Sequence, residues 1–244
     1  MRSLHTGGLL KSETRKVRKT IIFDLDGTLL DTLDDLTAAV NHALRTIGRP
    51  ERQREEVLRF VGNGIRALVQ RSLTAAVGQA DADRAMTAFT AYYMAHCTDL
   101  TRPYPGIPAL LHALNDEGHH LAIVSNKVDA AVKALGRQYF GQLIPVAIGE
   151  GAPLSLAEGG VVRAKPCPDA LLAVMQQFGA TPADTLYVGD SEVDIQTARN
   201  AGVPCLSVTW GFRDIPTLTA AGATTLISTP EEILERIRED YNQF

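Results

Sequence analysis

From residue 20 onward the chain alternates short, nearly unbroken apolar runs with stretches in which apolar residues recur at helical spacing. Unbroken runs mark strands buried on both faces, and their alternation with helices is the pattern of a parallel sheet covered by crossover helices. The runs predict strands at Thr20–Leu25, Leu121–Ser125, Pro145–Gly149, Thr185–Gly189, Cys205–Thr209 and Thr225–Ser228. Ile107, Leu110, Leu111 and Leu114 predict a helix that stops at Gly118, because glycine tolerates the left-handed backbone of a C-terminal cap. Leu171, Val174, Met175 and Phe178 repeat the pattern before Gly179. Ile195 and Ala198 lead to Gly202, and Ile233, Leu234 and Ile237 mark a last helix. The expected fold class is α/β, with a Rossmann-like parallel sheet as its core.

One stretch breaks the rhythm. From Leu33 to about Arg102 only helical periodicity is present, carried by Leu36, Val40, Ala43 and Ile47 and later by Phe89, Tyr92 and Tyr93. It predicts an inserted α-helical domain over 33–102, leaving 19–32 and 103–244 as the α/β core. Thr32, with Asp35 three residues on, has the form of a helix N-cap followed by an acidic N3 residue. Pro103-Tyr-Pro-Gly106 supplies the return, since two prolines and a glycine end a helix in a turn. The glycine-rich 149–160 segment is read as a flap or hairpin.

Composition sets bounds on function. The 244 residues are 45% hydrophobic and 21% charged, enough apolar material for a core and too little charge for general disorder. The net charge of -4 hides an asymmetry: the first 19 residues hold six of the 24 Lys/Arg and one of the 28 Asp/Glu. The remainder carries 18 cations against 27 anions, a balance of -9. So acidic a body is a poor partner for nucleic acid, whose phosphate backbone is bound by clustered cations. Residues 1–18 are expected to be a flexible basic leader rather than a targeting segment. No apolar run reaches the length of a signal-peptide core or a membrane span, so a cytoplasmic protein without a membrane partner is expected. Cys97, Cys167 and Cys205 are odd in number and lack CxxC spacing, which predicts reduced packing residues rather than disulfides or a zinc site.

Reactive groups in an open parallel sheet gather beyond the carboxyl ends of the strands, and four segments at or near those ends carry polar residues foreign to a core. Phe23-Asp24-Leu25-Asp26-Gly27-Thr28 holds two carboxylates two residues apart, which point the same way from an extended strand and repel unless a cation lies between them. Ser125-Asn126-Lys127 offers a hydroxyl and an amide either to phosphate oxygens or to an ordinary helix cap. Lys165-Pro166 brings a cation able to neutralise a phosphoryl group beside Asp24. Gly189-Asp190-Ser191-Glu192-Val193-Asp194 places two aspartates, Asp190 and Asp194, four residues apart, of which Asp190 could complete an oxygen-ligand site for magnesium.

In this order the segments resemble the motifs of the haloacid dehalogenase superfamily, over about residues 19–244, and the helical insertion resembles its C1-type cap. Gly62-Asn63-Gly64 together with Ser125-Asn126-Lys127 is most similar to the phosphoglycolate phosphatases of that superfamily. The resemblance implies a Mg²⁺-dependent phosphatase acting on a small phosphorylated metabolite, with 2-phosphoglycolate as the expected substrate. Asp24 would be the nucleophile and Asp26 the acid and base. Mg²⁺ would be held by Asp24, the Asp26 carbonyl and Asp190. Ser125, the Asn126 region and Lys165 would hold phosphate oxygens, with Asp194 behind them orienting the metal site or Lys165. In the cap, Gly62, Asn63 and Gly64 are candidates for a specificity loop. Arg66 is a candidate partner for a substrate carboxylate, or else a solvated helix-face charge. Trp210 is read as packing. The alternatives are a β-phosphoglucomutase-like phosphotransferase or a pyrophosphatase, while the intact set of Asp24, Asp26, Ser125, Lys165 and Asp190 argues against a catalytically idle binding module.

Overall fold

The computed structural model describes residues 18–73, 77–154 and 159–241. The basic leader up to residue 17 lies outside them, as do residues 155–158 of the glycine-rich segment. In chain order they form β1 (Thr20–Phe23), β2 (Leu30–Asp31), α1 (Leu33–Thr46), α2 (Arg54–Phe60), α3 (Gly64–Ser72), α4 (Gln79–His96), β3 (Arg102–Pro103), α5 (Ile107–Asp116) and β4 (His120–Val128). There follow α6 (Asp129–Phe140), β5 (Val146–Glu150), α7 (Asp169–Phe178), β6 (Thr185–Gly189), α8 (Glu192–Ala201), β7 (Cys205–Val208), α9 (Ile215–Ala220), β8 (Leu226–Ile227) and α10 (Pro230–Tyr241).

The apolar runs become a six-stranded sheet in the order β5-β4-β1-β6-β7-β8, every pair parallel. Ile21, Ile22 and Phe23 of β1 are fully buried, as are Ile123, Val124, Tyr187 and Val188 on the flanking strands, because helices cover both faces. Strand order reverses between β1 and β6, which makes their carboxyl ends the place where a ligand crevice opens. Asp24 follows β1, Ser125 lies in β4 and Asp190 follows β6, so the three central strands deliver three of the four polar segments to one edge.

Helices α1 to α4 form the insertion, and the antiparallel pairs Leu30–Pro103 and Asp31–Arg102 bring its entry and exit side by side. Leu33, Leu36, Val40, Phe89 and Tyr93 are buried between α1 and α4. Capping at its start differs from the expectation. The Thr32 side chain makes no cap hydrogen bond; it donates instead to Asp26 Oδ1 at 2.6 Å. Asp35 turns away from the helix end to accept from the Leu100 and Thr101 amides and the Thr101 hydroxyl, closing the insertion across its neck. A carboxylate this well supplied by donors favours that closure over local capping.

A further departure matters for the site. Strand β4 runs on to Val128, with a register shift between Val124 and Val128. A regular strand would turn successive side chains to opposite faces, but the irregularity leaves Ser125, Asn126 and Lys127 all buried at its carboxyl end. The described flanks of the glycine-rich segment pair antiparallel, with the Val162 amide donating to Ala152 at 2.8 Å and the Leu154 amide to Gly160 at 3.1 Å. All three cysteines are free, and among the described residues no helix is long and apolar enough to cross a membrane.

Candidate active site

The four polar segments meet in one cavity, lined from the core by Asp24, Asp26, Ser125, Lys165 and Asp190 and from the insertion by the Gly62–Gly64 turn, Ile65 and Leu68. Asp24 is positioned by its amide, which donates to Val188 on β6 at 2.8 Å. Its carboxylate is buried, and Oδ1 makes no hydrogen bond although the Lys165 ammonium lies 2.9 Å away, outside hydrogen-bond geometry. Burial holds the Asp24 carboxyl well above the ordinary aspartate range, Lys165 opposes the shift, and the charges of Asp194, Asp190 and Asp26 reinforce it.

Lys165 is fixed by more than Asp24. Its ammonium donates to Asp194 Oδ1 at 2.7 Å and to the Tyr187 hydroxyl at 3.0 Å. The Asp194 carboxylate is saturated: Oδ1 also accepts from Tyr187 at 2.9 Å, and Oδ2 accepts from the Ser191 amide and hydroxyl at 3.1 and 2.5 Å. Asp194 thus anchors Lys165 and the start of α8. The Asn126 side chain is likewise engaged. Its amide nitrogen donates to the Lys165 and Gly62 carbonyls, and its oxygen accepts from the Lys165 amide. Asn126 braces the lysine loop against the insertion, and only its backbone remains for a ligand.

Asp190 Oδ2 accepts from the Phe212 amide at 2.7 Å, and Oδ1 from the Thr28 hydroxyl at 3.3 Å. Burial pushes its carboxyl up to about 7, with the charge of Asp194 adding to the shift. Gly27, at φ +85°, walls this pocket so closely that a Cβ there would lie 2.3 Å from Asp190 Oδ2. The Trp210 indole donates to the Thr28 carbonyl at 3.1 Å, so Trp210 secures the loop that follows Asp26 as well as packing against the core.

A divalent cation fits these residues. One ligand oxygen from each of Asp24, Asp190 and Asp194 lies within 4.8 Å of the others, and Asp24 offers a buried oxygen without a hydrogen bond. Each Asp194 oxygen already accepts from two protein donors, whereas each Asp190 oxygen accepts from one and Asp24 Oδ1 from none, so Asp24 and Asp190 keep lone pairs for a hard cation with oxygen ligands.

Of the insertion residues, Gly62 and Gly64 line the cavity, whereas Asn63 and Arg66 do not. The Asn63 side chain accepts from Arg71 at 2.7 Å on the outside of the turn, and Arg66 is exposed, because α3 turns position 66 toward solvent. The arginine at the cavity is Arg213, in the loop after β7. It donates to the Val61 carbonyl at 2.6 Å and to Glu192 at 2.8 Å, and a Cβ on Gly62 would lie 2.8 Å from its guanidinium. No local sequence signal separates Arg213 from Arg66; only the packing of two distant loops does. Lys127, named in the Ser125-Asn126-Lys127 motif without a role of its own, also lines the cavity. Its ammonium is buried 3.0 Å from Asp26 Oδ1 and 2.5 Å from the Tyr93 hydroxyl.

Comparison with known proteins agrees with this geometry. Residues 21–208 match the haloacid dehalogenase-like hydrolase family. The chain is 38% identical over 200 residues to a phosphoglycolate phosphatase of Pseudomonas putida, covering 80% of this chain and 70% of that one. It is 33% identical over 238 residues to phosphoglycolate phosphatase 1 of Pseudomonas aeruginosa, covering 92% and 84%. A crystal structure from Lactobacillus delbrueckii subsp. bulgaricus, assigned as a phosphoglycolate phosphatase, superposes with a TM-score of 0.81 at 34% identity, covering 90% of this chain and 98% of that one. The chain belongs to the haloacid dehalogenase-like hydrolase family.

Proposed function

We propose that the protein is a Mg²⁺-dependent phosphatase that hydrolyses 2-phosphoglycolate to glycolate and phosphate through an aspartyl-phosphate on Asp24. One observation carries it: a buried carboxylate oxygen without a hydrogen bond, on Asp24, faces the same cavity as a second carboxyl, Asp26, and a fixed ammonium, Lys165. That is the equipment for nucleophilic attack on phosphorus with proton transfer to the leaving oxygen. The substrate is supported by the names of the relatives from Pseudomonas putida and Pseudomonas aeruginosa.

In this scheme Asp24 displaces the alcohol from phosphorus while Asp26 protonates the departing oxygen. Asp26, now a carboxylate, then takes a proton from the water that hydrolyses the acyl phosphate. Lys165, held by Asp194 and Tyr187, binds a phosphoryl oxygen together with the Ser125 hydroxyl and the backbone near Asn126. Asp24, the Asp26 carbonyl and Asp190 would hold Mg²⁺. When bound, the ion supplies positive charge that offsets repulsion between the attacking carboxylate and the phosphate dianion. The helical insertion acts as a cap over the cavity. Its Gly62–Gly64 turn meets the part of the substrate beyond the phosphate, and Arg213 holds that turn in place.

The test is phosphate release from 2-phosphoglycolate, p-nitrophenyl phosphate, pyrophosphate, glucose 1-phosphate and a nucleoside monophosphate, with Mg²⁺ or with chelator, and with Asp24→Asn as control. The proposal expects Mg²⁺-dependent preference for 2-phosphoglycolate that the substitution abolishes. Preference for pyrophosphate, or turnover that survives Asp24→Asn, would refute it.

A further inference from the structure

The catalytic scheme leaves one buried cation without a task. The Lys127 side chain is 2% exposed, and burying an ammonium is costly unless partners surround it. Its partners come from two distant places in the chain. Asp26 Oδ1, after β1, lies 3.0 Å away; the Tyr93 hydroxyl, on α4, accepts its hydrogen bond at 2.5 Å; and the Tyr93 ring centroid lies 4.5 Å from the ammonium. Tyr93 is itself buried and stacked on Phe89.

The arrangement is asymmetric at Asp26. The Thr32 hydroxyl donates to Oδ1 at 2.6 Å, and the Lys127 ammonium lies against that same oxygen. Among the described residues no hydrogen bond reaches Oδ2. An oxygen already facing two donors, one of them cationic, is a poor seat for a further proton, whereas its twin is unencumbered and belongs to a side chain lining the cavity. We propose that Lys127, held by Tyr93 of the insertion, is a positioning residue that orients Asp26 so that Oδ2 is the oxygen that hands over the proton. The role rests on the reading of Asp26 as the acid. In the step concerned, the phosphorus–oxygen ester bond breaks and its electron pair stays on the leaving oxygen. That oxygen takes the proton from Oδ2, and Asp26 is left as a carboxylate. Because Tyr93 sits on α4, the acid is correctly oriented only with the insertion seated on the core.

A purely structural lysine and a phosphate-binding lysine would each affect all substrates alike. A lysine that orients the acid matters most where the leaving group needs a proton. The experiment measures kcat/KM, which reports the first displacement, on phenyl phosphate and on p-nitrophenyl phosphate, two aryl esters that differ in their need for an acid. The proteins are wild type, Lys127→Met, Tyr93→Phe and Asp26→Asn, each checked by thermal melting. Positioned general acids contribute about 10²–10⁴-fold, so Lys127→Met is expected to lose about 100-fold on phenyl phosphate and under about 10-fold on p-nitrophenyl phosphate. Tyr93→Phe should show the same selectivity at smaller amplitude, and it carries the test should Lys127→Met not fold. Equal losses on both esters in the Lys127 and Tyr93 variants, with Asp26→Asn selective, would overturn the role of Lys127 while leaving Asp26 as the acid. A non-selective Asp26→Asn would overturn both.

Discussion

Replacing Asp190 by asparagine tests whether this site is built to receive a cation. Asp190 is buried among carboxylates, and in the metal-free protein burial pushes its carboxyl up to about 7. Unfolded, it returns to the ordinary value of about 3.9. A raised acid holds its proton more tightly in the folded state, so its contribution to stability is full below about pH 4 and is lost as pH rises through about 7. The loss runs at about 1.4 kcal/mol per pH unit over the steep part, or about 2–3 kcal/mol between pH 5 and pH 8. Asparagine does not titrate. The difference in unfolding free energy between Asp190→Asn and wild type, from urea denaturation in chelator, should therefore grow in the variant's favour by that amount across the interval. Asp24 is raised by burial in both proteins, and the variant removes only the smaller share that the Asp190 charge adds. Saturating Mg²⁺ at pH 8 should restore wild type by about 2.7 kcal/mol at 100 times the dissociation constant and leave the variant little changed. A difference that stays flat with pH, or Mg²⁺ stabilising both proteins equally, would refute the reasoning.

Three further outcomes follow from the cavity's walls. Arg213→Gln removes the donors that tie the Val61 carbonyl to Glu192, and a charge-assisted hydrogen bond is worth about 1.5–3 kcal/mol. Steady-state kinetics should show KM for 2-phosphoglycolate raised about tenfold or more, with kcat changed much less. Arg66→Ala, at an exposed position beyond the cavity, should leave kcat/KM for 2-phosphoglycolate and for p-nitrophenyl phosphate within about twofold, as surface substitutions usually do. Gly27→Ala places a methyl 2.3 Å from Asp190 Oδ2 at a positive φ, and isothermal titration should find Mg²⁺ affinity lowered by about tenfold or more.

The central strands β4, β1 and β6 are buried on both faces and spell themselves out as apolar runs, which is why Asp24, Ser125 and Asp190 could be placed at their carboxyl ends; the edge strands β5 and β8 were legible as short apolar runs although partly exposed. Long-range contacts were not. The two-residue strands β2 and β3 are too short to carry a pattern and pair across the whole insertion. Helix α6 buries Val132, Leu135 and Phe140, but its apolar positions sit among polar residues that blur the periodicity. Thr32 and Asp35 fit a local capping pattern, yet Asp26 and the Leu100–Thr101 amides compete for them from elsewhere in the fold. Tyr93 reads as one more apolar position beside Phe89, and nothing local reveals that its hydroxyl meets Lys127. A lysine following an apolar run and a Ser-Asn pair was the available hint.

The central claim is that Asp24 carries the phosphoryl group. Turnover of 2-phosphoglycolate with Mg²⁺, quenched in acid within milliseconds and digested, should yield by mass spectrometry a peptide containing Asp24 heavier by one phosphoryl group, absent from the Asp24→Asn protein. Rapid phosphate release with no phosphorylated Asp24 peptide at any quench time, or a label carried by a different residue, would contradict the account.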